Sequence, residues 1–226
     1  MTSSKTKASQ RVARILIVDD HPVVREGLAM RISKHPDLEV CGNAADVAAA
    51  LQLVASTNPD LAIIDIALKT GNGIELIKRI KARDDSVRML VWSMYNETLY
   101  AERALRAGAL GYINKEHATD KIIEAIRHVL DGKVYLSEPM ADQILHRAVG
   151  TGHERVERSP VESLSDRELE VFQLIGHGLD THQVAEKMRV SPKTVETYRA
   201  RIKEKLNLSS GPELIRRSAQ WVVENA

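Results

Sequence analysis

The sequence lacks the features that mark secreted and membrane proteins. It has a single cysteine, Cys41, in 226 residues, which excludes an internal disulfide framework and fits a reducing compartment. No stretch approaches the roughly 18 consecutive apolar residues that a membrane-spanning helix needs. The formal net charge is +1, so overall charge alone indicates no particular partner. We therefore expect a globular protein of the cytoplasm with no membrane contact.

The composition and length of the chain suit two ordinary folded domains. Hydrophobic residues make up 43% and charged residues 28% of it. Between residues 13 and 132, five short apolar segments alternate with five stretches that carry apolar residues at helical spacing. The apolar segments are RILIVDD, LEVCGNA, LAIIDI, VRMLVWS and ALGYINK. This alternation predicts an α/β domain with a doubly wound, five-stranded parallel sheet.

The remaining residues divide into a leader, a linker and a helical domain. Residues 1–12 carry basic side chains but no apolar core of a secretory signal, and we expect a disordered leader. Residues 133–160 include a polar stretch marked by glycine and proline, so they are predicted to be a linker, with one helix in SEPMADQILHRAVG. Residues 161–226 show four consecutive helical patterns, which predict an all-α domain.

Chemically distinctive residues stand at the ends of four predicted strands. Strand one ends in Asp19 and Asp20, strand three in Asp65, strand four in Ser93 and strand five in Lys115. Since the carboxyl ends of parallel strands face one edge of a sheet, we expect these side chains to converge. Crowded carboxylates suit a hard divalent cation such as Mg²⁺, and an aspartate can act as a nucleophile toward phosphorus. The alternative is that each residue is a solvated polar group at a strand end.

A short helix, a tight turn and a longer helix follow one another in the C-terminal domain. These are DTHQVAEKM, RVSP and SPKTVETYRARIKEKL, an arrangement typical of a DNA-binding helix-turn-helix. Residues 187–205 carry seven Lys and Arg residues against two glutamates, the local positive charge that phosphate contacts need. A charged, solvated helix in an interaction bundle would show the same charge pattern, so charge alone leaves both interpretations open.

The first domain resembles the receiver domain of bacterial two-component response regulators. The segments that carry the resemblance are ILIVDDHPVVREGL, IIDIALKTGNG, VWSMYNE and RAGALGYINK, within residues 14–132. The resemblance implies a flavodoxin-like fold and a phosphoryl group carried on an aspartate. The implied residues are Asp65 as phosphoacceptor; Asp19, Asp20, Asp65 and the carbonyl of Ala67 for Mg²⁺; and Lys115, Ser93 and Tyr112 for phosphate binding and switching.

The second domain resembles the four-helix DNA-binding domain of the LuxR, NarL and FixJ type over residues 164–223, through LSDRELEVFQLIGHGLDTHQVAEKMRVSPKTVETYRARIKEKL. The resemblance implies that the second helix of the helix-turn-helix enters the major groove. Several members have lysine in place of Glu196, and Thr181-His182-Gln183 replaces their commoner Asn-Lys-Glu, so their sequence preference cannot be copied. The residues implied to contact DNA are Lys193, Thr194, Glu196, Thr197, Tyr198, Arg199, Ala200 and Arg201.

The two resemblances together imply a phosphorylation-dependent transcription regulator rather than a turnover enzyme. Its partners would be a histidine kinase, double-stranded DNA and a second copy of the chain. The resting receiver would mask the DNA-binding domain, or the phosphorylated receiver would dimerise. The candidate dimer surfaces are residues 119–130, the last helix of the receiver, and residues 213–224, the last helix of the DNA-binding domain. Two alternatives remain. A phosphatase would need a second acid where Ala67 stands, and a protein-interaction module would no longer bind DNA.

Overall fold

A computed structural model describes residues 11–68, 70–116, 121–149 and 160–224. In the first half of the chain it confirms the predicted alternation of five strands and five helices. The strands are β1 (Ala13–Val18), β2 (Leu38–Ala44), β3 (Leu61–Ile64), β4 (Arg88–Ser93) and β5 (Gly111–Asn114). The helices are α1 (Pro22–Ile32), α2 (Val47–Thr57), α3 (Gly73–Arg83), α4 (Glu97–Ala107) and α5 (Ile122–Leu130).

The five strands form one parallel sheet in the order β2-β1-β3-β4-β5, which confirms the predicted doubly wound, flavodoxin-like fold. Alternate residues of β1 face opposite sides of the sheet. Ile15 and Ile17 belong to a core with α1 and α5, whereas Leu16 and Val18 belong to a core with α2, α3 and α4. Because helices cover both faces, β3 is buried along its whole length, as its apolar run LAII predicts.

The rest of the described chain is helical, as predicted. It contains α6 (Glu138–Val149), a short 3₁₀ helix (Pro160–Ser163), α7 (Asp166–Gly176), α8 (Thr181–Met188), α9 (Pro192–Lys205) and α10 (Gly211–Glu224). Helix α6 lies in the SEPMADQILHRAVG segment where a helix was predicted. Ser165 and Glu168 form a capping box at the start of α7, and Asp180 and Gln183 form a second one at the start of α8.

The helices of the C-terminal domain pack closely around an apolar core. Val184 on α8 and Val195 on α9 are fully buried, and the Phe172 ring on α7 meets the Trp221 ring on α10 edge to face. A Cβ atom at Gly176 would lie 2.5 Å from the backbone oxygen of Ser218. The glycine therefore lets α7 and α10 approach more closely than any side chain would permit.

Parts of several predictions fall outside the described residues. They are residues 1–10 of the leader, residues 69 and 117–120 of the first domain, residues 150–159 of the linker and residues 225–226 of the C-terminal domain. Residues 119–120 also belong to one candidate dimer surface. Within the described part of the chain, no helix is both long enough and apolar enough to span a bilayer.

Candidate functional site

The residues at the strand ends meet at one edge of the sheet. Lys115, just after β5, places its Nζ 2.5 Å from Asp19 Oδ2 and 2.6 Å from Asp65 Oδ2. Asp19 follows β1 and Asp65 follows β3, so three strands supply one ion cluster. The side chains of Lys115, Asp19 and Asp65 are only 9%, 2% and 3% exposed. At this depth water screens the charges poorly, so each ion needs the opposite charges beside it to offset the cost of its burial.

The loop after β3 fixes the position of Asp65. The Ala67 N–H donates to Asp65 Oδ1 at 3.2 Å, which orients the carboxylate from its own loop. Gly73 begins α3 and donates its N–H to the Ile66 carbonyl at 3.0 Å. A Cβ atom at Gly73 would lie 2.2 Å from the Asp65 backbone oxygen, so only glycine allows α3 to start this close to the acceptor.

The pocket makes the charged form of Asp65 costly. Burial raises the pKa of Asp65 above its usual range, and the neighbouring Asp19 carboxylate adds to the rise. The Lys115 ammonium and the Ser93 hydroxyl act in the opposite direction and lower the pKa without cancelling the effect of burial. A further cation placed beside Asp65 would therefore be attracted strongly.

The arrangement of oxygen atoms fits a hard divalent cation. Asp19, Asp20, Asp65 and His21 each offer one ligand atom, and these atoms lie within 4.8 Å of one another. Asp20 Oδ1 is buried without a hydrogen-bond partner among the described residues. His21 Nδ1 lies 2.8 Å from that oxygen, but the pair lacks hydrogen-bond geometry. Three carboxylates against one lysine leave a net negative pocket, so the residues present fit Mg²⁺.

A run of contacts leads from the pocket to the C-terminal domain. Ser93 is fully buried, and its Oγ accepts from the Tyr95 N–H at 3.4 Å. The Tyr112 hydroxyl donates to the Tyr95 carbonyl at 2.7 Å. The Tyr95 ring stacks on Tyr100, with ring centroids 4.9 Å apart. The Tyr100 hydroxyl then donates to Gln173 Oε1 on α7 at 2.6 Å.

Two further side chains of α7 contact the first domain. Asn72 Nδ2, at the N-cap of α3, donates to Glu170 Oε2 at 3.3 Å. Asp166 accepts from Lys78 Nζ at 2.7 Å and from Arg103 Nη1 at 3.1 Å. Asp166, Glu170 and Gln173 form a polar stripe along α7 at spacing i, i+4 and i+7, which we call the α7 docking stripe. It joins the C-terminal domain to α3 and α4.

The pKa values of the two acids in the α7 docking stripe are shifted in opposite directions. Burial raises the pKa of Glu170, although Arg167, Asn72 and Lys187 all act to lower it. Burial acts to raise the pKa of Asp166 too, but hydrogen bonds from Lys78 and Arg103 together with their charges hold it below its usual range. Glu170 is therefore the member of the stripe whose charge opposes docking.

Helix α9 presents most of its predicted contact residues to solvent. Lys193, Glu196, Thr197, Ala200 and Arg201 are exposed. The other three predicted contacts, Thr194, Tyr198 and Arg199, are partly buried. The exposed face of α9 remains accessible while the α7 docking stripe contacts α3 and α4.

Sequence reasoning missed several residues of this site. His21 sits beside the acids it follows in the chain, and DDH could have suggested a fourth ligand atom. The docking partners Asn72, Tyr100 and Gln173 carry no local signal, because each acts on a residue far away in the chain.

Comparison with known proteins finds matches along most of the chain. Residues 15–127 match the family "Response regulator receiver domain", and residues 162–218 match "Bacterial regulatory proteins, luxR family". The chain is 37% identical over 205 residues to the oxygen regulatory protein NreC of Staphylococcus carnosus. That alignment covers 89% of this chain and 94% of NreC.

Solved structures show the same architecture. A LuxR-family two-component response regulator from Aurantimonas sp. SI85-9A1 is 36% identical, with a TM-score of 0.57 over 61% of this chain and 99% of that one. RcsB from Salmonella enterica serovar Typhimurium, solved with promoter rprA and the phosphomimetic BeF₃⁻, is 24% identical. Its TM-score is 0.65 over 92% of this chain and 98% of that one, a likeness of fold.

Proposed function

The chain belongs to the two-component response regulators with a LuxR-type DNA-binding domain, and on that premise we propose that phosphorylation of Asp65 controls its binding to DNA. The phosphoryl donor is a histidine kinase, and the target is a double-stranded site bound by two copies of the chain. Because DNA is the partner, the protein acts in the cytoplasm. The observation that carries the proposal is the buried cluster of Lys115, Asp19 and Asp65 beside the Asp20 oxygen, which accepts no hydrogen bond from the described residues.

The reaction is the transfer of a phosphoryl group from a histidine nitrogen of the kinase to a carboxylate oxygen of Asp65. An Asp65 carboxylate oxygen attacks the phosphorus of a phosphohistidine, a P–O bond forms, the P–N bond breaks and the leaving imidazole nitrogen is protonated. Asp19, Asp20, Asp65 and the Ala67 carbonyl would hold Mg²⁺, which supplies positive charge to the phosphoryl oxygens. Lys115 exchanges one of its carboxylate contacts for the phosphoryl oxygens, which carry more negative charge than the carboxylate did.

The added charge reaches α7 through the aromatic contacts. A phosphoryl group on Asp65 attracts the Ser93 hydroxyl, which in the resting pocket accepts from the Tyr95 N–H. Displacement of Tyr95 disturbs its stacking on Tyr100 and hence the hydrogen bond to Gln173. We expect the α7 docking stripe to loosen, because a buried hydrogen-bond network tolerates displacement of one member poorly.

The exposed face of α9 indicates how regulation works. Since the docked receiver leaves that face accessible, phosphorylation acts on the arrangement of two copies rather than on access to α9. A loosened DNA-binding domain is free to pair with a second one on a two-fold site. The exposed apolar side chains Ile215 and Val223 of α10 support the pairing surface predicted at residues 213–224.

The first test is the intact mass of the protein after incubation with Mg²⁺ and a small phosphodonor. We expect the wild type to gain one phosphoryl group and Asp65→Asn to gain none. The same preparations then go into a DNA-binding assay over a range of salt concentrations, because phosphate contacts make affinity salt-dependent. Phosphorylation at Asp65 without any salt-sensitive DNA binding would favour the interaction-module alternative. Phosphoryl uptake by Asp65→Asn would contradict the assignment of the acceptor.

The metal site can be followed through a tryptophan. The chain has two tryptophans, and Lys115 Nζ lies 5.4 Å from the centre of the Trp92 ring. In a Trp221→Phe background, Mg²⁺ that binds the carboxylates should displace the Lys115 ammonium and change the fluorescence emission of Trp92. Asp20→Asn should weaken this response about tenfold or more, as loss of one carboxylate ligand predicts. An unchanged titration in that variant would remove Asp20 from the metal site.

A further inference from the structure

A single hydroxyl connects the two helices of the helix-turn-helix. Thr181, the first residue of α8, donates from its Oγ1 to Glu196 Oε1 on α9 at 2.8 Å. The same Oγ1 accepts from Arg199 Nη1 at 3.3 Å. Arg199 Nε lies 3.6 Å from Glu196 Oε1, which completes a three-membered network. A hydroxyl suits this place because it donates and accepts at once.

The two charged members of the network differ in solvent exposure. The Arg199 side chain is 17% exposed, whereas the Glu196 side chain is 59% exposed. Arg199 Nη2 also lies 3.8 Å from where a Cβ atom of Gly211 would stand, so the guanidinium is enclosed by α8, α9 and the start of α10. Arg199 is thus placed to support Glu196 rather than to reach a DNA phosphate.

The network leaves part of Glu196 available. Among the described residues, every contact of its carboxylate falls on Oε1. A carboxylate oxygen can accept a hydrogen bond from the N4 amino group of cytosine in the major groove. Holding one oxygen toward the protein directs the other outward, and Arg199 offsets a negative charge that would otherwise repel the DNA backbone.

We propose that Thr181 is a positioning residue that sets base recognition by Glu196. The inference rests on the proposed DNA-binding function and adds a determinant of sequence preference outside the recognition helix. The residue on α8 fixes the rotamer of the reading carboxylate on α9. Binding therefore does not have to immobilise that side chain, and discrimination in favour of cytosine increases.

The Thr181 hydroxyl is not needed to cap the start of α8. The first turn of α8 is already capped by Asp180, whose Oδ1 accepts from the N–H groups of His182 and Gln183. The Asp180 N–H in turn donates to Gln183 Oε1, which completes the capping box. Removing the Thr181 hydroxyl should therefore leave the start of α8 intact.

The test is selection from a randomised double-stranded DNA library by the full-length phosphorylated protein. The variants are Thr181→Val, which keeps the shape without the hydroxyl, Thr181→Ser, which restores it, and Glu196→Ala, which identifies the base pair that Glu196 reads. His182→Ala is the matched control on the same turn, since its side chain is exposed. Thermal unfolding of each variant verifies that it folds.

We expect Thr181→Val to lose discrimination at the same base pair as Glu196→Ala, by about fivefold to tenfold, which is in the range of the net contribution of an ordinary hydrogen bond. Thr181→Ser and His182→Ala should select the wild-type sequence. The double variant Thr181→Val/Glu196→Ala should lose no more than Glu196→Ala alone.

Three results with the variants would overturn the inference. In the first, Thr181→Val selects the wild-type sequence while Glu196→Ala does not. In the second, Thr181→Val weakens binding equally for all sequences, which would mean a structural role. In the third, Thr181→Ser fails to restore selection although it folds. A wild type that binds DNA without any preference would overturn this inference alone, whereas a wild type that binds no DNA would overturn the proposed function with it.

Discussion

Two charged networks in this molecule are built alike but lie in opposite surroundings. In the pocket, Lys115 lies between the carboxylates of Asp19 and Asp65, and all three are buried. On the helix-turn-helix, Arg199 and Thr181 hold the largely exposed carboxylate of Glu196. A buried network reacts as a unit to one added charge because water cannot screen it, whereas an exposed one only biases the direction of a side chain.

The α7 docking stripe lies between these extremes. Asp166 and Glu170 are partly buried and Gln173 is buried, and all three pair with residues of the other domain. The comparison therefore predicts a gradient of effects. Changes beside the pocket should be severe, changes in the stripe should shift the contact between domains moderately, and changes of charge in the stripe should act in a pH-dependent way.

The largest effect is expected at the glycine behind the acceptor. Gly73→Ala places a Cβ atom 2.2 Å from the Asp65 backbone oxygen and should destabilise the protein by about 3 kcal/mol, the upper part of the usual cost of overpacking. Gly27→Ala is the matched control, because a Cβ atom there meets nothing within 4 Å. It lies in α1 and should stabilise the fold by up to about 1 kcal/mol. Urea unfolding measures both, and equal effects would mean that the pocket tolerates crowding.

A moderate effect is expected at the contact between domains. Tyr100→Phe leaves Gln173 Oε1 without its donor and should weaken docking by about 1–2 kcal/mol. Spin labels at Arg79→Cys on α3 and His177→Cys after α7, in a Cys41→Ser background, report the fraction docked from their distance distribution. Tyr135→Phe is the control, because that ring packs on His128 away from the contact. A distribution that does not broaden in Tyr100→Phe would argue that this hydrogen bond contributes nothing to docking.

A smaller, pH-dependent effect is expected at Glu170. Its pKa is raised in the docked state, mainly by burial, so the docked form binds a proton more readily than the free form. The contribution of Glu170 to docking should therefore be fully present below the ordinary glutamate pKa of about 4.3 and be lost as the pH rises through the raised value. The pKa of Asp166 is lowered, so its contribution has the opposite sign. It is present above the ordinary aspartate pKa and is lost as the pH falls through the lowered value.

Glu170→Gln separates the two contributions. It should dock more tightly than the wild type near neutral pH, by about 1 kcal/mol or less, and lose the dependence on pH above the ordinary glutamate range. The same pair of spin labels measures it across a pH series. A variant that docks less tightly than the wild type at neutral pH would show that the ion pair with Arg167 outweighs the cost of burial.

Much of this arrangement could be predicted from the sequence, for a physical reason. The coverage of both sheet faces by helices follows from apolar runs such as LAII, and the parallel sheet then brings Asp19, Asp65 and Lys115 to one edge whatever the loops do. The helices of the C-terminal domain follow from periodicity and from caps such as Ser165 with Glu168.

The contact between domains could not be predicted in the same way. Tyr100 and Gln173 are 73 positions apart, and neither residue type nor local spacing specifies which distant side chain each will meet. The network of Thr181 with Glu196 was equally hidden, because a threonine at the start of a helix is normally interpreted as part of its cap. Pairings that depend on tertiary packing leave no periodic pattern in the sequence.

A phosphoryl group on Asp65 should loosen the contact of the α7 docking stripe with α3 and α4. The most direct test compares the distance between labels at Arg79→Cys and His177→Cys, in the Cys41→Ser background, before and after phosphorylation with Mg²⁺ and a small phosphodonor. Mass spectrometry establishes the fraction modified, and Asp65→Asn in the same background is the control. We predict one narrow distribution at rest, a broader or longer one after phosphorylation, and no change in the control. A fully phosphorylated protein with an unchanged distribution would contradict the account.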